Sequence, residues 1–159
     1  MVYLTVARGY KPGGFNAAKE SEADRSYAAE YTWNYEIGTK LNMLENRLSL
    51  EASAFYVDWK DQQLSVIVPT VGAVIRNIGH SDSKGFEVSL SGQPLKNLLL
   101  YANYGYTYVR FLAANTGKKR DYTGNILPMV PRHTVSLNAN YSLYQLGMLD
   151  RLMFNANLT

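Results

Sequence analysis

Cysteine is absent from this chain of 159 residues, which removes disulfides, thiolate metal sites and cysteine nucleophiles together. Histidine is scarce: there are 2, His80 and His133, and neither has a second ligand at metal-site spacing. No Gly-x-Ser-x-Gly elbow occurs. Gly9-Tyr10-Lys11-Pro12-Gly13-Gly14 lacks the Gly-Lys-Ser/Thr ending and the following helix of a phosphate-cradling loop. No window approaches the roughly 18 consecutive apolar residues of a membrane-spanning helix. A formal net charge of +3 without a dense basic tract gives no footing for nucleic acid. The start, Met1-Val2-Tyr3-Leu4-Thr5-Val6-Ala7-Arg8, has none of the parts of a signal peptide and reads as a strand already under way. The last residues, Met153 to Thr159, also alternate until they stop, so the chain is expected to be a slice of something larger. These absences leave no catalytic constellation, no metal site and no requirement for a cofactor. What is abundant is tyrosine, 13 residues in a chain that is 47% hydrophobic and 18% charged. A routine soluble core does not explain so many phenols, because each buried hydroxyl needs a partner.

Alternation with a period of two recurs along most of the sequence. From Arg47 to Trp59 one face carries Leu48, Leu50, Ala52, Ala54 and Tyr56, and the other carries Arg47, Ser49, Glu51 and Ser53. A helix would put Leu48 and Leu50 about 200° apart, whereas a strand puts them side by side. The same test assigns strands around Trp33–Met43, Phe86–Ser91, Leu98–Tyr108, Thr134–Leu143 and Arg151–Leu158, with a weaker one over residues 2–10. The expectation is an all-β fold, an antiparallel up-and-down meander of about seven strands. Most are near the roughly 9–11 residues that a tilted strand needs to cross a bilayer.

The connections sort by length. Leu44-Glu45-Asn46, Gly92–Asn97 and the stretch from Leu143 to Arg151 are short, while those over about 11–31, 62–80 and 112–131 are long. Short turns at one end and long loops at the other describe an outer-membrane meander better than a sandwich with Greek-key crossovers. In the middle connection, Ser65-Val66-Ile67-Val68 and Ala73-Val74-Ile75 flank Pro69-Thr70-Val71-Gly72, which predicts a hairpin running on beyond the membrane. The aromatics gather at the long-loop ends of the strands. Trp33, Tyr35, Tyr56, Trp59, Tyr104, Tyr106 and Tyr108 are therefore predicted to form an interfacial girdle, with rings in lipid and polar tips at the headgroups.

Two charged clusters lie at the rim. Asp58-Trp59-Lys60-Asp61-Gln62 reads as a solvated edge where a strand leaves the membrane. Lys118-Lys119-Arg120-Asp121-Tyr122 crowns the third long loop, either as an exposed tip or as an attractor of an anionic ligand or lipopolysaccharide phosphates. Asn140-Tyr141-Ser142 and Asn157-Leu158-Thr159 match glycosylation acceptors but fall inside expected strands.

Several segments also resemble a known family. Gly9-Tyr10-Lys11-Pro12-Gly13-Gly14-Phe15-Asn16, Trp33-Asn34-Tyr35-Glu36-Ile37-Gly38-Thr39-Lys40 and Ala54-Phe55-Tyr56-Val57-Asp58-Trp59-Lys60-Asp61-Gln62 are similar to segments of TonB-dependent outer-membrane receptors. The similarity is greatest to siderophore receptors of the pesticin/yersiniabactin type. Asn77-Ile78-Gly79 with Lys84-Gly85-Phe86-Glu87, then Gly124-Asn125-Ile126-Leu127-Pro128 and Pro131-Arg132-His133, continue the resemblance in the family's order. It implies a 22-stranded transmembrane β-barrel in the bacterial outer membrane, importing iron–siderophore complexes or a similar chelate with energy from TonB through an N-terminal plug. On that reading residues 1–159 are barrel wall and extracellular loops, without the plug or the closing strand, and form an open curved sheet. Lipid bilayer and lipopolysaccharide are the expected surroundings. Ligand contact is expected at Tyr10, Lys11 and Phe15, and then at Arg120 and Tyr122. Two other readings remain open from the residues themselves: a complete eight-stranded structural or adhesive barrel, and a soluble β-sandwich binding module.

Overall fold

A computed structural model describes residues 1–17, 21–69, 71–114, 121–146 and 149–159, with 145, 146 and 149 as backbone only. The alternating segments are strands: β1 (Val2–Lys11), β4 (Glu30–Met43), β5 (Leu48–Val68), β6 (Gly72–Leu95), β7 (Leu98–Ala114), β8 (His133–Leu146) and β9 (Leu149–Leu158). Between β1 and β4 lie two short strands, β2 (Gly14–Phe15) and β3 (Ser26–Tyr27), and a 3-10 turn at Glu22–Asp24. No α-helix occurs among the described residues.

The seven longer strands form one sheet in the order β1-β4-β5-β6-β7-β8-β9, and every neighbouring pair is antiparallel. This is the expected meander. It stays open, because β1 and β9 lie at opposite edges. The register lines up chemistry across the strands. One row runs Leu41, Leu50, Leu90, Ala102, Leu137, Leu158. One residue away, another runs Lys40, Glu51, Ser89, Asn103, Ser136. A one-residue slip would exchange the two faces, so the alternation fixes the register.

Among the described residues no second layer covers the apolar face. Leu4 is 73% exposed, Ile37 55% and Leu137 44%, where a sandwich would bury such residues between its sheets. The soluble-sandwich reading is thereby overturned. The self-contained small barrel is overturned by the unpaired edges. Among the described residues the buried hydrophobics are Val68, Val74, Val109 and Ala114, all at the long-connection ends of β5, β6 and β7.

Several boundaries differ from the sequence reading. β5 has 21 residues, β6 has 24 and β7 has 17, well beyond a bilayer's requirement. The hairpin expected beyond the membrane is part of this, with Val66 opposite Val74 and Val68 opposite Gly72. This extension is called the arm below. A register shift between Trp59 and Gln62, with Asp61 at φ 53°, joins it to the wall through a β-bulge. The turn read over Gly92–Asn97 is tighter, since Leu95 and Leu98 still pair. At Leu44–Arg47 the central residues Glu45 and Asn46 have φ of 55° and 68°, the left-handed pair of a type I′ hairpin. The third long connection returns along β7: the Phe111 N–H donates to the Asn125 carbonyl at 2.9 Å and the Leu127 N–H to the Val109 carbonyl at 3.1 Å. Backbone groups at the end of β7 that lie beyond β8 are satisfied in this way.

Candidate functional site

The aromatic residues of the apolar face form a band near the long connections. Tyr35 is in register with Tyr56, and Phe86 with Tyr106. Ring centroids lie 6.4 Å apart for Trp33 and Tyr35, 6.4 Å for Tyr35 and Tyr56, and 5.7 Å for Phe86 and Tyr104. Trp33, Tyr35, Tyr56, Tyr104, Tyr106 and Tyr108 share this face. Trp59 does not. It pairs with Thr32 and Ser81, an odd number of residues from Tyr56, and its indole Nε1 is buried without a hydrogen-bond partner among the described residues. Counting parity from Tyr56 would have revealed this, because the bulge begins only after Trp59. Tyr10 needs the opposite correction. It lies in step with Val6 and Arg8, opposite Tyr31 at 6.5 Å between centroids, so it joins the band and not the face of Lys11.

Cations sit against this band. The Arg8 guanidinium lies 4.5 Å from the Tyr31 ring centre and 5.7 Å from that of Trp33. Lys84 and Arg132 approach Tyr108 at 5.9 and 5.4 Å. Just beyond lies a paired cluster in which Asp58 meets His80 at 2.6 Å and Lys60 at 3.3 Å, and Asp82 meets Arg110 at 3.0 Å. Asp58 is thus a partnered, mostly covered group and not the freely solvated edge expected. His80 is its interface partner.

The polar face is internally bonded. The Tyr3 hydroxyl donates to Glu36 at 2.6 Å, Lys40 pairs with Glu51 at 2.9 Å, and Ser49 donates to Asn42 at 2.8 Å. Asn140 donates to Asn138 at 2.8 Å, and Asn138 to Asn157. Two rings lie over glycines on this face. A Cβ on Gly38 would come 2.5 Å from the Tyr3 hydroxyl oxygen, and one on Gly85 2.6 Å from Phe55 Cζ. Both glycines are there for close approach.

The first long connection is a strap docked on the arm. Asn16 donates to the Ile75 carbonyl at 2.9 Å and accepts from the Ile75 N–H at 2.9 Å. Asn77 does the same for Ala28, accepting from its N–H at 2.7 Å and donating to its carbonyl at 2.9 Å. Gln63 Nε2 donates to the carbonyls of Pro12 and Ala28, at 2.9 and 3.0 Å. Arg76 meets both oxygens of Asp24, at 2.6 and 2.8 Å. This hydrogen-bonded guanidinium holds the Asp24 carboxyl below its ordinary value despite its burial.

The expected ligand residues fall in different places. Lys11 is on the polar face, 3.8 Å from Glu30, which also accepts from the Gln63 N–H at 2.6 Å. Phe15, on β2, is 82% exposed. Tyr122 is 38% exposed, and its N–H donates to the Ala114 carbonyl at 3.1 Å. Arg120, with Lys118 and Lys119, lies outside the described residues. No hydrogen bond, ion pair or ring contact among the described residues joins Lys11 or Phe15 to Tyr122. Sequence reasoning missed Asn16, Asp24, Gln63, Arg76 and Asn77. Their partners are far away in sequence, 52 residues for Asp24 and Arg76, so no local pattern announces them.

The profile of the family described as "TonB dependent receptor-like, beta-barrel" matches residues 1–159. The chain belongs to the TonB-dependent receptors. It is 31% identical over 140 residues to the pesticin receptor of Yersinia pestis, an alignment covering 87% of this chain and 20% of that protein. It is 29% identical over 157 residues to the probable TonB-dependent siderophore receptor PiuA of Acinetobacter baumannii, covering 89% of this chain and 20% of PiuA. The crystal structure of the ferric yersiniabactin uptake receptor FyuA from Yersinia pestis superposes with a TM-score of 0.74 at 27% identity, over 98% of this chain and 22% of FyuA. The chain spans about a fifth of the length of these relatives. As in the rest of the family, its strands are those of an outer-membrane β-barrel.

Proposed function

We propose that this chain is wall and extracellular rim of a receptor that takes up ferric siderophores or a similar metal chelate across the outer membrane. The observation that carries the proposal is the division of one sheet into two chemistries. A bilayer-facing side bears the aromatic band, and a bonded polar side faces a wet lumen, with the strap and arm projecting beyond the band. The relatives named as siderophore and ferric yersiniabactin receptors supply the substrate class. The role is binding and transport and not catalysis, with energy delivered by TonB through a plug that fills the lumen. The polar residues of the wall are its contact surface. Ligand contact from this chain falls to Lys11 at the end of β1 and Phe15 on the strap, with Tyr122 and Arg120 on the third long connection.

The six aromatics sharing the apolar face, joined by Tyr10, act as the girdle at the outer leaflet. Arg8, Lys84 and Arg132 have no carboxylate partner among the described residues and present charge to headgroup phosphates of lipopolysaccharide. Deleting the gene that encodes the receptor containing this chain tests the uptake reading. Under iron limitation the deletion strain is expected to lose growth on at least one ferric siderophore supplied as sole iron source, and to regain it from a plasmid copy. Unchanged growth and unchanged uptake of radiolabelled iron across a siderophore panel would remove the reading.

A further inference from the structure

The strap crosses from β1 to β4, yet its strongest bonds are to β6, two strands away from β4 in the sheet. Ile75 is opposite Ser65 in the arm, but its own N–H and C=O are taken by the Asn16 side chain. In an antiparallel strand both groups of one residue point to the same side, so Asn16 sits on the edge of β6 turned away from β5. Among the described residues that edge has no strand partner in this region, because β7 pairs with β6 only from Gly79 onward. The strap therefore passes over β5 and closes the open edge of the arm with an amide that imitates one rung of a ladder. Asn77 provides the reciprocal device: a side chain on the arm imitates a rung for Ala28 on the strap. Its Nδ2 also donates to the Asp61 carbonyl at 2.6 Å, inside the bulge where the arm leaves the wall. The Arg76–Asp24 pair lies between these rungs, with the Asp24 side chain only 6% exposed.

We propose that Asn16, Asp24, Arg76 and Asn77 are positioning residues for ligand capture. They lock strap and arm into one extracellular body, and so set where Phe15 stands relative to Lys11 at the end of β1. The geometry of the lock is independent of the receptor reading; its consequence for ligand capture rests on that reading. The alternative, a strap held only by its own short β2–β3 pairing, is poorly supported by two residue pairs. A hairpin of that size does not hold itself in water.

The test uses the full-length receptor, purified in detergent, in a cysteine-free background. Spin labels placed at Phe15→Cys and Ile67→Cys, both highly exposed positions, report the distance between strap and arm tip. The parent is expected to give one narrow distance distribution. The Asn16→Ala/Arg76→Gln double variant should give a broad one, while keeping the parent's heat-modifiable gel mobility and therefore its barrel. Arg76→Lys, which keeps the charge but loses the two-pronged contact, should fall between them. In unlabelled protein the double variant is expected to bind ferric yersiniabactin, the probe used, roughly tenfold or more weakly. A distribution as narrow in the double variant as in the parent would overturn the lock. A broadened distribution with unchanged affinity would overturn its role in capture. Failure of the parent itself to bind any of a panel of ferric chelates would instead count against the receptor reading, and the distance measurement separates the two failures.

Discussion

At the residue scale, the Asp24 carboxylate gives the clearest handle. It is nearly covered and meets Arg76 through both oxygens, while Ser21 on its own turn donates to it at 3.3 Å. The charged groups of the strap beside it are Glu22 and Arg25, which pair with each other at 3.8 Å. Because its pKa is lowered in the docked state, the docked state binds fewer protons than the undocked one. The stabilisation is fully present above the free value near 4, and is lost as pH falls through the lower docked value. Protease cleavage within the strap of the intact receptor is therefore expected to stay slow from pH 8 to about pH 5 and to accelerate below about pH 4. Asp24→Asn should cleave faster at neutral pH and lose that acid step. An acid step of equal size in Asp24→Asn would show that another group controls docking. Nothing local in Ser21-Glu22-Ala23-Asp24 distinguishes this aspartate from a solvated loop acid, which is why sequence reading passed over it. Trp59 was different. Its odd spacing from Tyr56 already places it on the other face, because clustering along a strand is not clustering on one side of it.

At the scale of the element, alternation made the strands legible because each has one face against a different medium. Their lengths were less legible. Past the aromatic band the two-period pattern fades while the hairpin continues to Val68 and Gly72. Val68 and Val74 are buried there, although no alternation in the sequence marks them. The bulge after Trp59 was invisible for the same reason. The face assignment itself can be tested in β6, where Ser89 and Leu90 are adjacent and midway between Phe86 and the turn after Leu95. Leu90 is in register with Leu50 and Ala102, and Ser89 with Glu51 and Asn103. Leu90→Arg places a charge in the hydrocarbon and is expected to destabilise the barrel by about 2–4 kcal/mol. Ser89→Arg faces Glu51 and the lumen, and should change stability by less than about 1 kcal/mol. Denaturant unfolding of the two full-length variants in bilayers reads the difference. Equal losses, or a larger loss at Ser89, would mean that the faces have been assigned the wrong way round.

For the whole molecule, the edges of the sheet matter most. β1 and β9 each present an unpaired row of backbone groups within this chain, and the face between them exposes Val2, Leu4, Val6, Phe154 and Leu158. In a membrane the open edges are costly, because hydrocarbon offers no hydrogen bonds to unpaired N–H and C=O groups. In water the apolar face is an association surface far larger than single exposed side chains make, and the edges are templates for pairing with other chains. In the family's closed barrels both problems are solved by neighbouring strands. Residues 1–159 produced alone are therefore expected to associate without detergent, and to lack in detergent the heat-modifiable gel band of a closed barrel. Appending the adjoining strands of the parent receptor should restore that band only when the edges of β1 and β9 have both found partners. Light scattering and gel mobility of unboiled samples check this. A monodisperse, detergent-free monomer would contradict the exposed apolar face. A heat-modifiable monomer of these residues alone would require β1 to pair with β9, which here lie at opposite edges of the sheet.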